Sequence, residues 1–261
     1  MITDKLDMNA ERFKDAGYVR IGAAVSPQDM ATVKIALVEL FRARFPVAVT
    51  NCRDDFDDPD FDAAVIRARG ADKVAFGRFY DICQTTVAIN RVFADPALLW
   101  KIGELMDCSV GALAWSGSLL RIDVPDDKRN TLGWHQDQHY LPFNRSGRGV
   151  VVSIQLSGAL EEMGALHVAE GSHQLGVVNP VVLDNERYST QQLNIPDEMI
   201  DPAKVRIVEA ECGDAVCLDL RTIHRSGFNS SQRVRWSCLM RFHDSLDRDF
   251  LPFRRMQQVI A

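Results

Sequence analysis

The stretch Val151-Val152-Ser153-Ile154-Gln155-Leu156-Ser157 decides how the second half of this chain folds. Val152, Ile154 and Leu156 alternate with Ser153, Gln155 and Ser157, and successive side chains of a strand point to opposite faces. The apolar set must pack on a core. The polar set must meet either solvent or a wet cavity inside a barrel. Alternation alone leans toward solvent; the ligand pattern discussed below turns the expectation toward a cavity. Runs of the same texture flank this stretch: "GALAWSGSLLRIDV", "ALHVAEG", "VVNPVVL", "KVRIVEA", "DAVCLDL" and "VRWSCLMRF". Clusters of Gly, Pro, Asn and Asp separate them, the pattern of a β-sandwich or barrel.

Ahead of residue 110 the chain reads helical. Asn9 to Ala16 forms a short helix ended by Gly17, and "YVRI" is a brief strand. Ser26-Pro27 and Asp95-Pro96 are helix starts, with a capping side chain followed by proline in the first turn. Met30, Val33, Leu37, Leu40 and Phe41 recur at helical spacing behind the first of these. Leu98, Leu99, Ile102, Leu105 and Met106 follow the second. The acidic "NCRDDFDDPDFD" (51–62) reads as a solvated loop. The whole of 1–261 is expected to be a single domain, with residues 1–109 mostly helical and 110–245 forming the β core.

Composition narrows the function classes. The net charge of −6, with no basic run, gives no electrostatic footprint for nucleic acid. The N-terminal residues lack the apolar stretch of a signal peptide and nothing resembles a membrane span, so a cytoplasmic protein without membrane partners is expected. The six cysteines, Cys52, Cys83, Cys108, Cys212, Cys217 and Cys238, include no C-x-x-C pair and read as reduced core thiols. No feature signals an oligomeric state.

Chemistry concentrates in "GWHQDQHY" (133–140). On a strand, His135 and Asp137 would present an imidazole and a carboxylate on one side. His224, in "DLRTIHRSGFNSSQRVRWS", is the candidate third donor. Two histidines and a carboxylate form a facial triad that leaves three adjacent positions open on an octahedral metal, which suits Fe(II). The competing reading is a polar strand edge with core imidazoles, because a lone His-x-Asp arises often by chance.

"WHQD", "GALHVAEGSHQLG" and "HRSGFNSSQRVRWS" together resemble the phytanoyl-CoA dioxygenase family of Fe(II)/2-oxoglutarate oxygenases. The matching positions are His135, Asp137, Gly164, Gly171, Ser172, His173, His224, Ser226, Asn229 and Arg235. The N-terminal "FKDAGYVRIGAAVSPQDM" is similar to the family's opening helix, strand and helix. The resemblance implies a mainly β fold with flanking α, a double-stranded β-helix (jelly-roll) barrel with N-terminal helices packed on one sheet. It implies Fe(II) held by His135, Asp137 and His224, with 2-oxoglutarate as co-substrate and O2 as oxidant. It also implies hydroxylation, or another oxidation, of an unactivated C–H bond of a small molecule, with release of succinate and CO2. Halogenases of this superfamily carry a small residue where Asp137 stands, so oxygenation is the expected outcome. Segments 45–95 and 183–203 match no part of the pattern and are expected to shape the substrate pocket.

For the co-substrate carboxylate the resemblance points to Arg235 and Ser226. A guanidinium on the strand returning from His224 can grip a carboxylate with parallel hydrogen bonds. Arg233, two residues earlier and expected on the same face, is the alternative. Ser237 shares the face of Arg235, while Ser153 and Gln155 rest on the alternation alone. His139, four residues along the same strand, would lie too far from His135 to join the site and is expected to line the pocket or the surface. His173 reads as a turn residue; His167 and His243 carry no assignment. Trp134, Tyr140, Phe143 and Trp236 read mostly as packing residues, and Arg121, Tyr140 and Arg241 as groups within reach of a substrate. Two other classes accommodate the same residues: a zinc hydrolase using the His/Asp/His set, and a non-catalytic jelly-roll binding protein.

Overall fold

The alternating stretch lies at the centre of a sheet buried on both faces. In the computed structural model, which describes residues 2–48, 55–127, 131–183 and 192–251, every residue from Gly149 to Gln155 is buried. The polar face therefore looks into the molecule. The first part of the chain supplies helix α1 (Ile2–Ala16), strand β1 (Tyr18–Ile21) and helices α2 (Pro27–Arg44), α3 (Pro59–Ala71), α4 (Lys73–Gln84), α5 (Val87–Phe93) and α6 (Pro96–Met106). The strands that follow are β2 (Leu113–Asp123), β3 (Gly149–Gln155), β4 (Leu166–Ala169), β5 (Val181–Leu183), β6 (Gln192–Asn194), β7 (Val205–Val208), β8 (Ala215–Asp219), β9 (His224–Ser226) and β10 (Arg235–Asp244).

They form a jelly roll with flanking helices. The larger sheet has the order β1-β8-β3-β10-β2, the smaller β7-β4-β9, and β5 pairs with β6 in a ribbon. All of these pairings are antiparallel. Strand periodicity divides the side chains of the larger sheet between two cores. Val150, Val152, Ile154, Cys217, Trp236, Cys238 and Met240 pack against the helices, together with Phe41, Phe61, Phe76 and Phe79. On the opposite face Val151, Val216 and Leu218 meet Leu166, Val168 and Val208 of the smaller sheet. Burial of this much apolar surface, at roughly 25 cal/mol per Å2, is the main drive for closing the two sheets on each other.

The helix starts follow their capping chemistry. The Ser26 side chain accepts from Asp29 N, and the Asp95 side chain from Ala97 N and Leu98 N. Gly17 closes α1 through a hydrogen bond from its N–H to Phe13 O (2.9 Å).

Two expectations need correction. The acidic segment 51–62 is not all loop: Asp58 caps α3 by accepting from Asp60 N, and Phe56 and Phe61 are buried against Trp236. The Asp-Pro start signal inside an acidic run outweighs its charge. Helices α3, α4 and α5 of segment 45–95 bury their apolar faces on the outer side of the larger sheet. The thiols also divide. Cys83, Cys217 and Cys238 are buried, but Cys108 is partly exposed and Cys212 exposed, so core thiols describe only three of the five; Cys52 lies outside the described residues. No helix among the described residues is long and apolar enough to cross a membrane.

Candidate active site

Between the sheets, His135, Asp137 and His224 converge, all three buried, with one donor atom from each lying within 4.8 Å of the others. They do not get there along one strand. His135 and His224 are opposite one another in an isolated antiparallel bridge, exchanging His135 N to His224 O (2.9 Å) and His224 N to His135 O (3.0 Å). Asp137 begins a 3-10 turn, Asp137–Tyr140. The turn replaces the strand expected here, so the argument that His139 lies four strand residues away fails. His139 instead bonds through Nε2 to Val178 O (2.7 Å). Gln136, between His135 and Asp137, donates to Gly176 O (2.8 Å) and Arg221 O (2.6 Å) and accepts from Val178 N (2.9 Å). This anchorage fixes the backbone from which Asp137 projects.

The imidazoles share one hydrogen-bonding pattern. His135 Nδ1 donates to Gly133 O (2.8 Å) and His224 Nδ1 donates to Thr222 O (2.9 Å). A carbonyl only accepts, so each ring carries a proton on Nδ1, and Nε2 is the nitrogen turned toward the other donors. Outer anchoring of this kind is the usual support of metal-ligating histidines. Burial, then the neighbouring His224, pushes the pKa of His135 down to about 3, which keeps this ring neutral. Burial alone would raise the Asp137 carboxyl. Arg241, with further help from His224 and His135, outweighs burial and holds it well below the usual carboxylate range. Asp137 Oδ2 lies 3.4 Å from His224 Nε2. Two imidazole nitrogens and one carboxylate oxygen, dry and facing a common point, fit a hard-to-borderline divalent metal such as Fe(II).

Supporting residues come from a distance. Ser172 Oγ accepts from Ile223 N (2.8 Å), and Thr222 Oγ1 donates to Gly17 O (2.7 Å), pinning the approach to His224. His173 holds the turn to α1 through Nε2 and Lys14 O (3.0 Å), in keeping with a turn residue. Gly164 has φ 84°, and a Cβ there would lie 2.8 Å from Gly227 O, so the backbone just past β9 can approach only a glycine.

Deeper along the same inner face lies a charge cluster. Arg235 pairs in register with Asp123 across β10 and β2, and Ser237 with Arg121 and Gln155. Arg235 Nε and Nη2 both donate to Asp123 Oδ2 (3.1 and 2.5 Å). Arg121 Nη2 reaches Asp123 Oδ1 (3.2 Å), and its Nη1 donates to Ser226 Oγ (3.0 Å). Burial raises the Asp123 carboxyl, but the two guanidinium charges outweigh it and the net direction is down. Burial is likewise the main reason the Arg235 guanidinium is lowered from its ordinary value, with Asp123 opposing. Among the contacts described, two guanidinium groups meet on one carboxylate in a dry pocket. Gln155 donates to Ser153 Oγ (2.9 Å), and its Oε1 is buried with no protein partner.

Arg233 does not share the face of Arg235. It precedes β10, is half exposed and pairs with Asp62 of α3 on the helix side. Of the remaining candidates, Tyr140 sets its ring edge toward His135 (6.2 Å between centroids), and its hydroxyl accepts from Leu193 N (3.2 Å). The described part of segment 183–203 therefore borders the His135–Asp137–His224 cluster, with Ile195 N bonded to Trp134 O (2.7 Å). Trp134, Phe143 and Trp236 are buried packing residues. His243 is enclosed between Ser116 and Asn144, and His167 lies beside Arg225 on the outer side of β4.

Sequence reasoning missed Asp123 altogether and placed Arg241 within reach of a substrate, not against Asp137. Asp123 carried a readable signal. Arg121-x-Asp123 and Arg235-x-Ser237 are period-two polar pairs inside apolar strands, a costly placement unless the polar groups face one another.

The model for the family described as phytanoyl-CoA dioxygenase matches residues 13–237. No curated protein matches the chain. Among solved structures, EvdO2 from Micromonospora carbonacea var. aurantiaca, complexed with 2-oxoglutarate, is similar at 20% identity and a TM-score of 0.58, covering 94% of this chain and 96% of that one. The epimerase SnoN in complex with Fe3+, alpha ketoglutarate and nogalamycin RO is similar at 16% identity and a TM-score of 0.59, covering 93% and 84%. The non-heme monooxygenase ThoJ is similar at 21% identity and a TM-score of 0.59, covering 90% and 76%. At these identities the likeness is one of fold.

Proposed function

The chain belongs to the phytanoyl-CoA dioxygenase family of Fe(II)/2-oxoglutarate-dependent oxygenases, and from that premise we propose that it oxidises an unactivated C–H bond of a small molecule, most simply by hydroxylation. His135, Asp137 and His224 are the metal ligands in this reading, and Arg235 with Arg121, Ser226 and Ser237 receives the distal carboxylate of 2-oxoglutarate. The observation that carries it is the convergence of three buried donors, each imidazole already committed through Nδ1 to a backbone carbonyl. When bound, Fe(II) supplies the activation of O2: one oxygen atom goes to succinate as 2-oxoglutarate loses CO2, and the other goes to the substrate.

The protein's own contribution is binding and exclusion of water. The Nδ1 anchors keep both rings turned with Nε2 toward the metal position. The guanidinium groups of Arg121 and Arg235 favour a carboxylate there, because opposite charge in a dry pocket is screened little. Ser226 and Ser237 add hydroxyls beside it. Tyr140 and the segment around Leu193 and Asn194 stand at the ligand side, where a substrate must enter. EvdO2 complexed with 2-oxoglutarate and SnoN complexed with a nogalamycin compound support a small-molecule substrate for this chain too. A zinc hydrolase would need no guanidinium cluster beside its metal, and family membership sets that alternative aside.

Anaerobic addition of 2-oxoglutarate to the Fe(II)-loaded protein is expected to produce a visible metal-to-ligand charge-transfer band. A small-molecule panel then reports succinate formed per molecule oxidised. Absence of the band at saturating Fe(II) and 2-oxoglutarate refutes the proposal.

A further inference from the structure

Arg241 stands on β10 at the wall of the site and contacts an atom that the metal does not need. Its Nε donates to Asp137 Oδ1 (2.7 Å), and its Nη2 makes a second, shorter contact with the same oxygen. A guanidinium facing a carboxylate commonly spreads two parallel hydrogen bonds over both oxygens. Here both donors fall on Oδ1, and Oδ2 is the oxygen turned toward His224 Nε2 at 3.4 Å. The two oxygens of Asp137 are thus divided, one for the arginine and one for the metal position.

Arg241 reaches Asp137 from a regular strand. β10 keeps an unbroken register with β3 from Ser237 to His243, so Arg241 falls on the inner face with Arg235 and Ser237. The β2–β10 register shifts between Leu239 and Arg241, a bulge whose extra residue lies in β2, where Gly117 at φ 63° stands beside the guanidinium. Bulges are over-represented next to sites of function.

We propose that Arg241 is a positioning residue that restricts Asp137 to single-oxygen coordination and so keeps an adjacent metal position open for the co-substrate. The inference rests on the Fe(II)/2-oxoglutarate reading above. A carboxylate that chelates through both oxygens takes two positions. With two histidines that leaves two of six, too few for a bidentate 2-oxoglutarate and O2 together. By occupying Oδ1, Arg241 prevents this. An ordinary structural ion pair would steady the fold without influencing how many oxygens face the metal.

The test uses Arg241→Gln and Arg241→Lys in the full chain. Groups that support metal ligands are typically worth about 10–100-fold in affinity or activity. Arg241→Gln is therefore expected to retain divalent metal while its 2-oxoglutarate dissociation constant, read anaerobically from the charge-transfer band, rises by about 10–100-fold. Arg241→Lys, which keeps the charge without the fork, is expected to fall between the Gln variant and the parent. Crystals of the Mn(II)-loaded Gln variant should show both Asp137 oxygens on the metal, and those of the parent only Oδ2. Parental titrations in both variants overturn the proposal, as does a Mn(II)-loaded Gln variant with one oxygen bound. Loss of metal by the Gln variant at unchanged Tm also overturns it, because Arg241 would then make the ligand instead of limiting it. A parent protein with no band refutes the co-substrate reading, while the Mn(II) crystals still report on Arg241.

Discussion

Replacing Asp123 by Asn keeps the shape of the buried cluster and removes its only negative charge among the contacts described. Arg121 and Arg235 are each less than a tenth exposed, and both bond to this one carboxylate. Breaking a buried pair by neutralising one partner costs about 3–5 kcal/mol, because the other charge stays buried without compensation. Each kcal/mol moves the midpoint of a chain of this size by about 2–4 °C, so Tm should fall by roughly 6–20 °C. The same logic gives the sign of a second effect. A bound 2-oxoglutarate carboxylate replaces the missing charge, so it should raise the Tm of Asp123→Asn by more than it raises that of the parent. The assay is thermal unfolding of both proteins with Mn(II), with and without saturating 2-oxoglutarate. A variant within about 2 °C of the parent refutes the charge argument, since that is less than the shift expected from 1 kcal/mol. A smaller ligand-induced rise in the variant refutes the placement of the carboxylate at these arginines.

Other outcomes follow from the same geometry. Asp137→Ala should abolish substrate oxidation while the circular dichroism spectrum stays parental; turnover at the parental rate would remove Asp137 from the ligand set. Arg235→Gln should raise the apparent 2-oxoglutarate constant by about one to two orders of magnitude, on roughly 1.5–3 kcal/mol for hydrogen bonds to a charged group. Arg233→Gln, directed at Asp62 on the helix side, should leave that constant within about twofold, a difference worth under 0.5 kcal/mol; anaerobic titration separates the two. His243 titrates near 4, mainly through burial and then Arg241, against an ordinary 6.5. Its folded value is depressed, so the unfolded chain takes up a proton first. The stability it contributes is full above about pH 6.5 and is lost as pH falls toward about 4. Urea unfolding across that range should show His243→Gln losing up to about 1.4 kcal/mol per pH unit of the parent's slope; an unchanged slope would show that His243 is not the group concerned.

The outline of the β core was legible because alternation is a local property. The run Val151–Ser157 revealed two faces, and the fold made both of them interior. What alternation does not carry is which polar face opposes which. Asp123 and Arg235 are far apart in sequence, and their pairing depends on the β2–β10 register. The His135-x-Asp137 spacing pointed to the right neighbourhood for a different reason from the one it suggested. A bridge and a 3-10 turn bring the two side chains together, because Gln136 is tied down on both sides and the chain cannot continue as a strand. The helix over Pro59–Ala71 was hidden by charge: Asp58, Asp60 and Asp62 read as a solvated run, yet Asp58 caps the helix and Asp62 is buried against Arg233. Arg241 was unreadable as a partner of Asp137, since the two are far apart in sequence and meet only where β10 faces the 3-10 turn.

The reciprocal backbone bond between His135 and His224 has a bearing on how such a protein acquires its metal. The two imidazoles sit on chain segments fastened to each other by backbone bonds of 2.9 and 3.0 Å across the bridge. An incoming ion need not gather distant parts of the polypeptide, so little chain entropy is lost at capture. Loading is then a matter of desolvating the ion and not of folding around it, in contrast to small zinc modules whose chain collapses only with metal.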